Sequence, residues 1–256
     1  MSDSLDELRA EVRRLRRTNA VSLCLVVVAL GAGFARGAQP RTATFDEIDV
    51  GRLNVREPNG TLRLALSNKA RLPEVVIGGK TYPLRGGTGV GSAGLIFFND
   101  EGNENGGLVF QGARTGSGPT DYHASAHLTF DQFDQDETVA LSYQDASGRR
   151  RAGLTVSDRA TTPIAAFAES AMALRALPEG PERTRRMQSL RANAVALGGA
   201  SMERVFVGKQ ADRSAVVSLA DAGGRPRLRL VVDSLGTARV EFLDEAGRVT
   251  SRLPSP

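Results

Sequence analysis

Much of the chain alternates between apolar and other positions. Leu62, Leu64 and Leu66 alternate with Thr61, Arg63 and Ala65, and Val139, Leu141 and Tyr143 alternate with Thr138, Ala140 and Ser142. Leu228, Leu230 and Val232 interleave with Arg227, Arg229 and Val231, and Ala238, Val240 and Phe242 with Thr237, Arg239 and Glu241. A period of two with one apolar face predicts half-buried antiparallel strands.

The pattern Asp-x-x-Gly recurs between these runs, starting at Asp145, Asp221, Asp233 and Asp244, with looser versions over 57–60 and 100–103. An Asp at the first position caps a type I turn through its carboxylate, and a Gly at the fourth accepts positive φ. Each unit is one strand plus one turn, so the predicted fold class is mainly β. It is an antiparallel meander or sandwich-like body, with a repeat too short for a propeller blade or a helical solenoid.

One stretch departs from this period. Thr162 and Pro163 suit a helix N-terminus, Ile164, Phe167, Ala171 and Leu174 follow at helical spacing, and Pro178 ends the run. A second helix is expected after Pro181, with Met187, Leu190, Ala194 and Leu197 on one stripe and Gly198 and Gly199 as its stop. Residues 162–199 therefore read as a helical insertion packed on the sheet.

The N-terminal region is different again. Ser4 and Glu7 form a capping box, and Leu5, Leu8, Val12 and Leu15 follow a 3-4-3 spacing that continues to Asn19. This is a two-heptad seam suited to partnering another helix, or an amphipathic face for an anionic membrane surface. No charge interrupts residues 20–35, which as a helix rise about 24 Å. That is short of the roughly 30 Å hydrocarbon core, but Arg17 and Arg36 can snorkel at its ends. The expectation is a single transmembrane anchor over 18–38, carried by Val21, Leu23, Leu25, Val26, Val27, Val28, Leu30 and Phe34. The competing reading is a signal peptide cleaved near Ala35, Arg36 and Gly37. Arg9, Arg13, Arg14, Arg16 and Arg17 precede the stretch, and only Arg36 and Arg41 follow closely. The positive-inside rule then puts the N-terminus in the cytoplasm and the body in the periplasm or another extracytoplasmic space. The expected order is a cytoplasmic amphipathic helix over 1–17, the anchor over 18–38, a linker over 39–44, and a β-rich region over 45–161. The helical insertion over 162–199 and a C-terminal meander over 200–256 complete it.

Composition narrows the function classes. Of 256 residues 41% are hydrophobic and 24% charged, which suits a folded chain. Trp is absent and aromatics make up 5%, which argues against stacking platforms for single-stranded nucleic acid. The net charge of +4 comes from arginines spread along the chain rather than gathered on one element. The one cysteine, Cys24, excludes an internal disulfide or a multi-cysteine metal site.

Motifs that could carry chemistry lack their context. Gly89, Gly91 and Gly94 match a dinucleotide-binding spacing, but 95–98 reads as a strand where the mechanism needs a helix. Gly79, Lys80 and Thr81 resemble the end of a phosphate loop, but its first glycine is replaced by Glu74. His123 and His127 alternate with apolar residues, and four residues along a strand separate them by about 13 Å, too far to share one ion. Neither catalytic residues, nor a cofactor, nor a metal site is assigned. The expected function is non-enzymatic: a single-pass structural or accessory subunit of a larger membrane complex. Strand edges, arginine-bearing faces and the glycine loops over 86–94 and 112–118 would contact an integral-membrane partner or a further copy. The alternatives are an extracytoplasmic ligand-binding or adhesive module with its site in those loops, and a metal-dependent enzyme using His123 or His127 with nearby acids.

Overall fold

Turn chemistry organises this chain. In a computed structural model, which describes residues 2–36, 42–83 and 92–254 and the side chains of 10–28, 42–83 and 92–254, the turns starting at Asp221, Asp233 and Asp244 share one geometry. Asp233 Oδ1 accepts from the backbone N–H of Leu235 and Thr237 at 3.0 Å, and Gly236 donates to the Asp233 carbonyl at 3.0 Å with φ +90°. The equivalent glycines, Gly224 and Gly247, both have φ +76°. Two expectations shift in detail. Ser147 and Gly148 both have positive φ, so a tight two-residue turn of the I′ kind joins its strands. The loose version expected at Asp100 is instead organised one residue earlier by Asn99, whose Oδ1 accepts from Glu101 and Asn103.

Among the described residues, the first compact unit, Met1–Asp49, contains one helix, α1 (Ser2–Arg36). Among the described residues, no helix is long and apolar enough to cross a membrane. This finding does not support the expected transmembrane anchor. The uncharged stretch supplies only about 24 Å of rise, and the turns before it are rich in arginine. Val12, Leu15 and Asn19 of the expected seam are exposed on α1, as are Val21, Leu23, Leu25, Val26, Val27 and Val28. The side chains of Leu5, Leu8, Leu30 and Phe34 lie outside the described residues.

The second unit, Val50–Pro256, is built on one antiparallel sheet of twelve strands. In sheet order these are β1 (Arg52–Arg56), β2 (Leu62–Ser67), β5 (Ala93–Phe98), β6 (Glu104–Arg114), β7 (Tyr122–Asp131), β8 (Glu137–Ala146), β9 (Arg149–Arg159), β10 (Ser201–Lys209), β11 (Ala215–Ala220), β12 (Pro226–Val232), β13 (Ala238–Leu243) and β14 (Val249–Leu253). Chain order and spatial order coincide, apart from the small hairpin of β3 (Val75–Ile77) and β4 (Lys80–Tyr82), which forms a second sheet. The two expected helices are α2 (Ala165–Arg175) and α3 (Pro181–Ala192). Thr162 does not cap α2, which is preceded by Ile164; the Thr162 carbonyl accepts from Gln135 Nε2 instead. α3 ends at Ala192, and turns carry the chain to Gly198 at φ +77°.

The core lies on one face of the sheet. Ala65, Ile96 and Phe98 are buried together, with Leu62, Leu72, Val76 and Val109 packed around them. The β3–β4 hairpin lies over this region, and Lys80 pairs with Glu169 of α2 at 2.8 Å. Gln135 ties the helical insertion down, its Nε2 donating to the carbonyls of Thr162 and Gly198.

Candidate interaction surface

In an antiparallel sheet, directly opposed residues share a face. The registers therefore define rows running across the strands. One row passes through Leu53, Leu66, Leu95, Leu108, Leu128 and Leu141, then Leu154, Val207, Val217, Leu230, Val240 and Leu253. Every strand of the twelve-stranded sheet contributes one member, and every member is Leu or Val. These side chains are not core. Leu141 is 56% exposed, Leu66 48% and Leu253 52%, and none of the row is fully buried.

Two parallel rows widen the strip. On one side run Phe130, Val139, Val156, Val205, Leu219, Leu228 and Phe242. This row reaches back to Val55, Leu64 and Phe97 because Gly106, opposite Phe130, leaves a gap on β6. The rings of Phe97 and Phe130 stack across it at 6.3 Å between centroids. On the other side run Ala93, Phe110, Ala126, Tyr143, Ala152, Lys209, Ala215, Val232 and Ala238, where alanine alternates with a larger residue. Lys209 is the one charged residue in these three rows. Beyond Tyr143 the strip ends in a polar knot. Asp145, 3% exposed, accepts from Arg150 Nε at 2.6 Å, Tyr122 Oη at 3.1 Å and Tyr143 Oη at 3.2 Å. The Arg150 guanidinium holds the Asp145 carboxyl below its usual range.

On the opposite face the matching register runs through Ala65, Ile96, Gly107, Thr129, Ala140, Thr155, Phe206 and Ser218, small or polar apart from the buried Ile96 and Phe206. Phe206 fills the hollow above the paired Gly153 and Gly208; it is 2% exposed, and Arg151 stacks on its ring at 4.2 Å. A Cβ on Gly153 would fall 2.7 Å from the Phe206 ring, so the glycine is what admits it. Towards β14, Glu241 is 3% exposed and accepts from Arg229 at 2.7 Å, Arg239 at 2.8 Å and Arg252 at 3.2 Å. Burial pushes its carboxyl up, but the Arg239 and Arg229 guanidiniums outweigh burial and leave it below its ordinary value.

A cavity of about 580 Å³ lies on this face, between the sheet and the covering hairpin and helix. Val75, Ile77, Ile96, Val109 and Phe167 form an apolar wall; Asp131, Gln135, Asp136 and Glu137 form an acidic end. Burial, reinforced by Asp136, pushes Asp131 up to about 8, and burial with the same neighbour pushes Glu137 up to about 7. Arg159 opposes both shifts and pairs with Glu137 at 2.9 Å.

Both histidines lie on β7 and on this face. His127 lines the cavity, whereas His123 is exposed nearer the strand start. Among the described residues, no group of three or more His, Cys, Asp or Glu side chains is placed to hold a metal ion. Of the glycine loops, 84–91 lies outside the described residues, and Gly94 sits within β5, so a strand follows the dinucleotide-like spacing. Gly112 belongs to β6, which runs on to Arg114, so the second loop begins later than expected. That loop is closed by Asp121, whose Oδ2 accepts from Gly118 N–H at 2.8 Å. In comparisons with known proteins, no family model, no curated protein and no solved structure matches the chain.

Proposed function

We propose that the chain is a non-enzymatic structural subunit that makes protein–protein contacts through the apolar strip of its sheet and is held to a lipid bilayer by its N-terminal helix. The observation that supports this reading is the unbroken aliphatic row across all twelve strands. Contiguous exposed apolar surface of this kind marks an interaction site. The strip is a better contact surface than the strand edges, because β1 and β14 each have five residues and carry arginines.

For the membrane half of the proposal, the support is the order of residues on α1. Arg13, Arg14, Arg16 and Arg17 suit an anionic leaflet, and the exposed valines and leucines of 21–28 follow directly. Local thinning of the bilayer and snorkelling arginines accommodate a short apolar length. The positive-inside bias orients the N-terminus to the cytoplasm and the body away from it.

Two experiments test this reading. Isolated gently in mild detergent, the full chain retains a protein on its strip, and Leu141→Glu releases it, whereas Leu235→Glu, at a turn residue 91% exposed, does not. Retention by both variants would refute the contact surface. The chain also resists alkaline extraction from membranes, with its body open to protease from the extracytoplasmic side; full release by alkali would refute the anchor.

A second reading, a ligand-binding module, draws on the cavity rather than the glycine loops. Its apolar wall and acidic end suit an amphipathic amine. Stabilisation by hexylamine that disappears in Asp131→Asn is the expected result, and no stabilisation would remove this reading.

A further inference from the structure

We infer that the apolar strip is covered by further copies of this chain, arranged in parallel around an axis that runs along the aliphatic row and across the strands. This rests on the contact-surface reading above and adds the identity of the occupant.

Shape is the first reason. Adjacent strands are rotated by roughly 20°, so a sheet of twelve strands turns through about 220° from edge to edge. A globular partner meets only part of a surface that turns this far. A copy related by rotation about the row's own axis turns with it and follows the strip over its whole length.

The second is area. Twelve strands at about 4.8 Å each give a strip roughly 58 Å long, and three rows about 6.8 Å apart make it some 15–20 Å wide. That is on the order of 1,000 Å² per copy, above the roughly 800 Å² per partner of a stable interface.

The third is chemistry. Symmetry brings each residue near its own counterpart, so a face rich in one sign of charge would repel itself, whereas an aliphatic row is self-complementary. Where alanine alternates with Phe110, Tyr143 and Val232, ridges and hollows are offered at a spacing of two strands, which suits interdigitation.

The fourth is independent of the sheet. Val12, Leu15 and Asn19 lie exposed on α1 at the 3-4 spacing of a coiled-coil seam, and an Asn at an a position favours parallel pairing in register. Rotation about a single axis brings every β1, the strand that follows α1 in the chain, to one end of the assembly. An antiparallel pair would separate them by the length of the strip.

The test uses the full chain in mild detergent with Cys24→Ser as background. Light scattering should give a protein mass that is a whole multiple, two or more, of 27.2 kDa. Leu53→Cys should link to Leu53→Cys of another copy on mild oxidation. In a double variant with Leu253→Cys, links between 53 and 253 of different copies should be absent. Leu141→Glu should lower the mass to one chain with an unchanged far-ultraviolet spectrum; if that variant does not fold, the Leu53 cross-link decides on its own.

A single-chain mass, or 53-to-253 links between copies, would overturn the inference. If the mass is that of one chain but a cysteine at 141 cross-links in membranes to a protein of different mass, the inference fails and the contact-surface reading stands. If that cysteine is also freely labelled in membranes, both fail.

Discussion

The two faces of the sheet obey the same alternation but meet different surroundings. On one face, small residues such as Ala65 and Gly107 leave room for a hairpin and a helical insertion, Gly153 and Gly208 admit the ring of Phe206, and Ala65, Ile96, Phe98 and Phe206 are buried within the chain. On the other face, large aliphatic side chains stand in rows, and several of them, Leu66, Leu141 and Leu253 among them, remain about half exposed. Alternation alone therefore does not say which apolar residues form the core: Ile96, Phe98 and Phe206 are buried, whereas Leu66 and Leu141 stand exposed. Small residues on the covered face leave room for the hairpin and the helical insertion, and many side chains of the greasier face stay exposed on the chain by itself.

The contrast predicts opposite consequences for the same kind of mutation. Phe206→Ala empties the hollow above Gly153 and Gly208 and removes the Arg151 stacking contact, so urea unfolding should show a loss of about 3–5 kcal/mol. Leu141→Ala, at a comparable central position on the other face, should cost under about 1 kcal/mol when the chain is dilute. Its cost should grow with protein concentration, because association adds to stability by mass action. Equal, concentration-independent losses at both positions would erase the distinction between the faces.

The second prediction concerns the acidic end of the cavity on the covered face. Asp131 is raised to about 8 and Glu137 to about 7, against unfolded values near 4. Between those limits the folded chain holds protons that the unfolded chain releases, so stability falls as pH rises from about 4 to 8. The turn carboxylates act in the opposite sense. Backbone N–H donors hold Asp221, Asp233 and Asp244 below the usual range, so their contribution is present above about pH 4 and fades below it. Thermal melting should therefore be highest near pH 4–5. Asp131→Asn should flatten the alkaline slope and add on the order of 3 kcal/mol at pH 8. A wild-type melting temperature that stays level from pH 5 to 8 would contradict this.

Smaller effects complete the comparison. Glu241→Gln leaves Arg229, Arg239 and Arg252 crowded around an uncharged group and should cost about 2 kcal/mol by chemical denaturation. Gly236→Ala places a Cβ at φ +90° and should cost about 1 kcal/mol in the same assay. Leu235→Glu, beside it in the turn and almost fully exposed, should be neutral; a measurable loss would mean the turns are not free of the strip's partner.

Much of the fold is legible in the sequence because its determinants are local. Each Asp-x-x-Gly turn supplies its own cap and its own positive-φ residue, so consecutive strands must pair and a meander follows. The helical insertion is legible for the same reason, since Pro163, Pro178 and Pro181 bound two runs of helical spacing. The assignment of inside and outside is not legible. Leu64, Leu66, Leu141 and Leu230 alternate as core residues do, yet the core forms around Ala65, Ile96 and Phe98 instead. That choice depends on where the β3–β4 hairpin and α2 settle, a long-range matter that no window of alternation contains. The cavity acids were equally hidden. Asp131 and Glu137 become neighbours through a bulge in the β7–β8 pairing, and nothing in their spacing announces that burial will hold their protons. For the apolar stretch of α1, the letters alone invite a membrane span, while among the described residues no helix is long and apolar enough to cross a membrane.

The central claim is that the aliphatic row is covered when the protein is at work. The most direct measurement is maleimide labelling of Leu141→Cys against Leu235→Cys in the full chain, in native membranes, with Cys24→Ser as background. If the row is covered, the cysteine at 141 should react about tenfold or more slowly than the one at 235, since it reacts only when the contact opens. Equal rates at the two positions would contradict the account.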